Sequence, residues 1–319
     1  MTDMTDKRVQ EQPGEAPVRW VDHCDLCGQP APFVELVARD PRTDAELASL
    51  GVTGSAYTTV ACRNCGWTFK PGVLSDEQLT RLYAQRGGEH VVSTELAGHD
   101  RRADELFQFL RRHLNLDSPR RVLDIGGGIG HVSRVLAEHG HRVTVVDMSG
   151  GAPVHPTIEI RRTTVDRLGS EKSYDLAIMN HILEHVWSPT ELLERAIAVV
   201  RPGGHLYIEV PFELYTPMVK RKLGDSCHVG YFSMTTLRQF IAKLGLVPVS
   251  VQRVLGRYDV RRVMILRALV GVPEAPRKQT TALMGRGWRS VALEMIYPAQ
   301  LLIMVRFIVL RWIARLARR

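Results

Sequence analysis

Three sets of residues in this 319-residue chain have types and spacings that could do chemistry. The first is a pair of Cys-x-x-Cys-Gly knuckles, Cys24 and Cys27 in HCDLCG and Cys62 and Cys65 in CRNCGW. The glycine after each knuckle lets the chain turn back so that both thiolates face one ion. Two knuckles together complete a tetrahedral four-sulfur site of the kind zinc fills. With sulfur in all four positions the ion is structural, and His23 is a neighbour. The interval from Gly28 to Ala61 is longer than in many compact zinc ribbons, and reduced unliganded thiols or a redox pair stay open as alternatives.

The second set is Asp124, Gly126, Gly128 and Gly130 in VLDIGGGIG, followed at a short interval by Asp147 and Met148 in VVDMS. Glycine at these positions allows a ligand to approach the backbone closely, and a carboxylate at the end of the next strand can accept bonds from both hydroxyls of a ribose. An adenosine-containing cofactor is the natural occupant. A dinucleotide fingerprint starting at Gly126 would need glycine at 131, where the chain has His131, so pyrophosphate binding is disfavoured. The third set is polar: His181, Glu184 and His185 in NHILEHV, and His228 and Tyr231 in CHVGYFS. His181 and His185 stand four apart and would share a face of a helix, which invites a metal or acid/base role or, more plainly, packing at a helix start. An imidazole near neutral pKa suits His228 to removing a proton, with a buried, hydrogen-bonded histidine as the alternative.

These residues need an α/β scaffold to bring them together. The short apolar run Val122, Leu123 and Ile125 predicts a buried strand, Val132 to His139 a helix, and Arg142 to Val146 a second strand, which makes a right-handed parallel unit with its glycine loop at the carboxyl edge of the sheet. Further strands are expected at 158–161, 174–179, 205–210, 249–255 and 261–269, bringing the sheet to seven. Helices are expected at 74–86, 101–114 and 192–200, and after Ser233, a good amino cap, up to Gly245.

Four ordered motifs, VLDIGGGIG, VVDMS, YDLAIMNHILEHV and VVRPGGHLYIEVP, resemble those of class I S-adenosylmethionine-dependent methyltransferases, over about half of the chain. The resemblance implies a seven-stranded Rossmann-like sheet with helices on both faces. It also implies a cofactor site built from Asp124, Gly126, Gly128, Gly130, Asp147 and Met148, with Thr164 and Val165 by the adenine and Asn180 beside the methionine portion. Thr164 stands where the family has an acid, and a hydroxyl is the weaker acceptor. HxxYFS resembles the pattern of zinc-containing sugar C-methyltransferases and related small-molecule methyltransferases, which implies His228 as base; Tyr231 in the same loop and His181 are further catalytic candidates. Those enzymes carry another sizeable domain after the sheet, and this chain has only about fifty residues there.

The expected organisation is a disordered arm over 1–17, a zinc module over 18–85, the methyltransferase domain over 86–270, and a linker with a basic amphipathic helix over 271–319. The polar amino terminus has no apolar stretch of the signal-peptide kind, which points to a reducing, cytoplasmic setting. A net charge of +8 admits nucleic acid, an anionic membrane surface or an acidic substrate, and the gathering of arginine in 288–319 favours the membrane surface or a packed helix over nucleic acid. The function expected is methylation of a small-molecule, sugar or lipid-linked glycan acceptor at oxygen. C-methylation of a nucleotide-linked keto sugar, a nucleic-acid-binding protein and a non-catalytic membrane scaffold stay as alternatives, and a homodimer stays open.

Overall fold

A computed structural model of the chain describes residues 19–37, 41–52, 58–85, 96–148, 151–169, 172–214, 227–258 and 261–275, with Val291 and Glu294. The expected amino-terminal arm and nearly all of the expected basic helix over 288–319 lie outside these residues.

The first part of the chain holds β1 (Arg19–Trp20), β2 (Val34–Val37), α1 (Pro41–Ser49), β3 (Thr59–Ala61), β4 (Thr68–Phe69), β5 (Gly72–Val73) and α2 (Asp76–Gln85). Then come α3 (Leu96–His113), β6 (Arg121–Ile125), α4 (Arg134–Glu138), β7 (Arg142–Val146), β8 (Glu159–Arg161) and β9 (Tyr174–Asn180). The series closes with α5 (Pro189–Val199), β10 (Val200–Pro211), β11 (Gly230–Tyr231), α6 (Met234–Lys243), β12 (Val247–Tyr258) and β13 (Arg261–Gly271).

Seven strands form the main sheet in the order β12-β13-β10-β9-β6-β7-β8. Neighbours from β10 through β8 pair in parallel, whereas β13 runs antiparallel to both β10 and β12. The chain leaves β6 to one side for β7 and returns on the other as β9, so the sheet has its topological switch point there, and a crevice opens beyond the carboxyl ends of those strands. Alternate residues feed two cores. Val122, Leu176, Ile178 and Val143 pack with Leu106 and Leu110 of α3 and Leu136 of α4. Leu123, Ala177, Met179 and Ile208 pack with Leu193 of α5 and Phe240 and Ile241 of α6. The period-two alternation puts helices on both faces, as the sequence implies.

Several local expectations shift in position. The helix predicted over 132–139 is only Arg134–Glu138, because the turn after Gly130, which has φ +88°, runs on through Ser133. His181 and His185 do not share an α-helix. His181 ends the strand turn with φ +56°, and Leu183–His185 form a single turn of 3₁₀ helix. The cap at Ser233 forms as a reciprocal capping box with Thr236, and Gly245, at φ +66°, follows the helix end.

The cysteine-bearing part does not stand apart from the main sheet. Its second sheet has the order β11-β4-β3-β2, so a strand from beyond residue 227 completes a sheet begun near residue 34. Trp67 lies buried between Phe232 and Phe240, with ring centroids 4.7 and 4.9 Å away. Asp25 accepts from the Ser188 hydroxyl at 2.7 Å and the Thr190 amide at 3.0 Å, at the start of α5. Within the expected carboxyl-terminal helix, Glu294 accepts from the amides of Met234 and Thr235 at the start of α6, where a carboxylate opposes the helix dipole. Among the described residues no helix is long and apolar enough to cross a membrane.

Candidate active site

The glycine turn after β6 is a cradle that side chains would fill. A Cβ at Gly126 would lie 2.7 Å from Ile182, and one at Gly127 only 2.2 Å from Asp124 Oδ2. Gly128 has φ +60°, and its amide donates to Asp147 Oδ2 at 2.8 Å, tying the turn to the acid that follows β7. Gly127→Ala is therefore expected to lower stability by about 1–3 kcal/mol through overpacking against a carboxylate. A urea unfolding curve overlying that of the parent would refute this.

Asp124 is fully buried, and its Oδ2 has no hydrogen-bond partner. Burial pushes its carboxyl up to about 6, and the Asp147 charge adds to the rise against the pull of Ser133 and Arg102. The folded chain thus holds this proton to about pH 6, whereas an unfolded aspartate loses it near 3.8. The stability this group contributes is fully present below the lower value and lost as pH rises through the higher one. Asp124→Asn removes the titration, so the difference in unfolding free energy between variant and parent should move in the variant's favour by about 3 kcal/mol from pH 3.8 to above 6. Denaturant unfolding at both pH values checks this, and a difference that is flat with pH would refute it.

Two observations test the fit of an adenosine cofactor: a cradle closed to side chains, and a buried carboxylate oxygen with no partner beside it. Both favour it. Asp147, half-buried at the carboxyl end of β7, stands where a ribose-gripping acid belongs, and Met148 beside it is exposed. Thr164 is exposed before the short 3₁₀ turn Val165–Leu168, and Val165 is buried. Asn180 ends β9, and its Oδ1 accepts from Arg102 of α3 at 2.9 Å.

The polar residues converge at the carboxyl ends of β9 and β10. Glu184 is buried, with Oε1 3.0 Å from His181 Nδ1 and 3.8 Å from His185 Nε2. Burial pushes its carboxyl up, but the surrounding His181, His185 and His228 outweigh that and hold it near 2. Burial pushes His185 down to about 4 and keeps it neutral. His181 also places Nε2 3.4 Å from Glu209 Oε1, so each of its ring nitrogens faces a buried acid. Glu209 further accepts from the Tyr207 hydroxyl at 2.5 Å and from Arg267 Nε at 2.8 Å. This network joins β10 and β13 to the turn that follows β9.

His228 comes from the far loop. Its Nδ1 lies 2.7 Å from Glu213 Oε2, its ring centroid 4.8 Å from that of His185, and its side chain is 16% exposed. Its backbone is fixed by the cysteine-bearing module: Lys70 Nζ donates to the His228 carbonyl at 2.5 Å and contacts the Tyr231 hydroxyl. Tyr231 is buried, and its hydroxyl also donates to the His228 carbonyl at 3.0 Å, so its polar end holds the loop. Glu213, Lys70 and Glu209 escape sequence reading. The signals that could have found them are two acids four positions apart in the otherwise apolar IEVPFE and a lysine inside the apolar run WTFKPGV.

The four thiols also come together. Cys24 and Cys65 sulfurs lie 3.6 Å apart, as do those of Cys27 and Cys62, and all four lie within 4.8 Å of one another. Four zinc–sulfur bonds of roughly 2.3 Å in a tetrahedron imply sulfur separations of about 3.8 Å, close to the two separations of 3.6 Å. Gly28 and Gly66, each at positive φ, close the two knuckles as their spacing requires.

A parallel sheet whose strand order reverses between β6 and β9, with a glycine cradle and a following acid at that switch point, defines an α/β fold of the class I methyltransferase type. Residues 97–251 match the family model described as a methyltransferase domain, and the chain carries an S-adenosylmethionine-dependent methyltransferase domain of class I. The ubiquinone biosynthesis O-methyltransferase of Marinobacter nauticus is 30% identical over 103 residues, which cover 28% of this chain and 43% of that protein. The protein of the same name from Bordetella avium is 32% identical over 99 residues, covering 28% of this chain and 41% of its own. The matched stretch thus spans less than half of these relatives. The solved 1,6-didemethyltoxoflavin-N1-methyltransferase of Burkholderia thailandensis aligns with a TM-score of 0.48 at 18% identity, over 69% of this chain and 97% of its own.

Proposed function

We propose that the protein transfers a methyl group from S-adenosylmethionine to a hydroxyl of a small-molecule or glycan acceptor. The observation that carries this reading is the cluster of His228, Glu213, His185 and Glu184 at the acceptor side of the cofactor crevice. The cofactor supplies a methyl group made electrophilic by the sulfonium to which it is bound. Asp147 and the backbone of Gly126, Gly128 and Gly130 hold and orient the nucleoside, and Asn180 lies beside its methionine end. Glu213 accepts from Nδ1–H of His228, which fixes the tautomer and leaves Nε2 as the basic nitrogen. The acceptor hydroxyl gives up its proton at this cluster as the new C–O bond forms. The resemblance to ubiquinone biosynthesis O-methyltransferases supports oxygen over carbon as the acceptor atom.

His228→Ala is expected to lower kcat roughly 10²- to 10⁴-fold, the usual worth of a positioned proton acceptor, while cofactor affinity stays within a few-fold. Glu213→Gln keeps the bond to Nδ1 without the charge and should fall between the two. Methyl transfer from labelled cofactor, with the labelled atom of the product determined by mass spectrometry and NMR, reads both. A label on carbon would move the reading to C-methylation. Full activity in His228→Ala would remove the cluster from the chemistry.

The four cysteines are read as a structural zinc site. Its role in this function is to hold the loop that presents His228.

A further inference from the structure

We infer that Glu184, His185 and His228 form a second metal site, one that binds a divalent first-row transition-metal ion through two imidazoles and one carboxylate. Their ligand atoms lie within 4.8 Å of one another, and the cluster shares no residue with the four cysteines.

Three features of the structure carry this. The first is how the imidazoles are turned. His185 places Nδ1 3.1 Å from the Cys227 carbonyl, which can only accept, so Nδ1 carries the proton and Nε2 the lone pair. His228 places Nδ1 2.7 Å from Glu213 Oε2, with the same result. A carbonyl or carboxylate behind each imidazole is the outer shell that metal-binding histidines need to fix ring and tautomer. The second is Glu184 itself. Its Oε2 is buried and has no hydrogen-bond partner, although the residue is only 1% exposed. An orphan carboxylate oxygen costs free energy, and a cation would satisfy it. The third is access. The two imidazoles keep 17% and 16% side-chain exposure, so the cluster can exchange an ion with solvent.

Two imidazoles and a carboxylate suit zinc, cobalt, manganese or iron(II) over magnesium or calcium, which prefer all-oxygen sets. Three protein ligands also leave at least one coordination position for another oxygen. The site does not depend on the proposed function. That function bears only on what the ion would do, namely bind the acceptor oxygen and lower its pKa, with His228 then a ligand and the displaced proton passing to solvent.

The test uses the full chain with zinc already loaded at the cysteines, and Co²⁺ as the probe. Titration should show one further equivalent bound, with visible d–d absorption and no thiolate charge-transfer band. His185→Ala and His228→Ala should each weaken Co²⁺ binding at least tenfold, the usual penalty for losing a ligand or its support. Far-ultraviolet circular dichroism and cofactor titration show that these variants remain folded. Glu184→Gln adds a third arm that changes charge with little change of shape. The inference is overturned if no Co²⁺ binds beyond the cysteine equivalent, or if binding survives both histidine substitutions unchanged. Failure to bind the cofactor would instead count against the methyltransferase reading and leave the metal result standing.

Discussion

Asp147→Ala should weaken S-adenosylmethionine binding by roughly two to four orders of magnitude, because it removes the carboxylate that we propose accepts both ribose hydroxyls. Each charge-assisted hydrogen bond contributes about 1.5–3 kcal/mol, and a tenfold change in affinity corresponds to about 1.4 kcal/mol. The substitution also frees the Gly128 amide, now held at 2.8 Å by Asp147 Oδ2, and so loosens the cradle itself. Asp147→Asn retains an acceptor for that amide and separates the two effects, since it should restore the turn and only part of the affinity. Isothermal titration of parent and both variants decides this. Equal affinity in all three would mean that the carboxylate does not face the nucleoside, and the enzymatic reading would go with it.

The second large effect is expected at the cysteines. Structural zinc sites contribute on the order of 10 kcal/mol to the folding of the segments that bind them. The four cysteines, for which we propose such a site, belong to the segment that also holds the loop of His228: Lys70 donates to the His228 carbonyl, and the Lys70 amide donates to the Val229 carbonyl at 2.8 Å. Cys65→Ser, or removal of the ion by a chelator, should therefore abolish acceptor methylation, at least a hundredfold, by letting His228 drift from Glu213. Cofactor binding should change only a few-fold, because Asp124, the glycine turn and Asp147 are held by β6 and β7 of the main sheet and not by the cysteine-bearing segment. Metal content by mass spectrometry, cofactor titration and turnover, measured on one sample, give the answer. Retained turnover in a metal-free protein would show that the loop does not need the ion. Loss of cofactor binding in step with turnover would show collapse of the whole fold.

What the sequence makes legible here is what is local. The strand, glycine turn and strand around Asp124 and Asp147 involve neighbours in the chain, and their residue types follow from backbone angles and close approach. The same holds for Ser233, whose capping box closes over three residues, and for the cysteine knuckles. Glu213 and Lys70 are illegible for the opposite reason. Glu213 acts on a histidine 15 residues away, and Lys70 on one 158 residues away, across a two-residue strand too short to show any periodicity. His181 misleads for a third reason. The spacing from His181 to His185 fits one face of a helix, yet the backbone reverses at His181 with φ +56°, and both imidazoles reach Glu184 from a turn.

The strand Gly230–Tyr231 has one more implication, for how the chain is made. It pairs with Thr68–Phe69, and the Lys70 ammonium meets the Tyr231 hydroxyl across 161 positions of sequence. During synthesis the early segment therefore stays incomplete until Tyr231 has emerged, with Trp67 lacking Phe232 and Phe240 as partners until they follow. Its thiols, by contrast, are all available once residue 65 has emerged. The metal site we propose there is therefore complete in the chain well before the sheet around it.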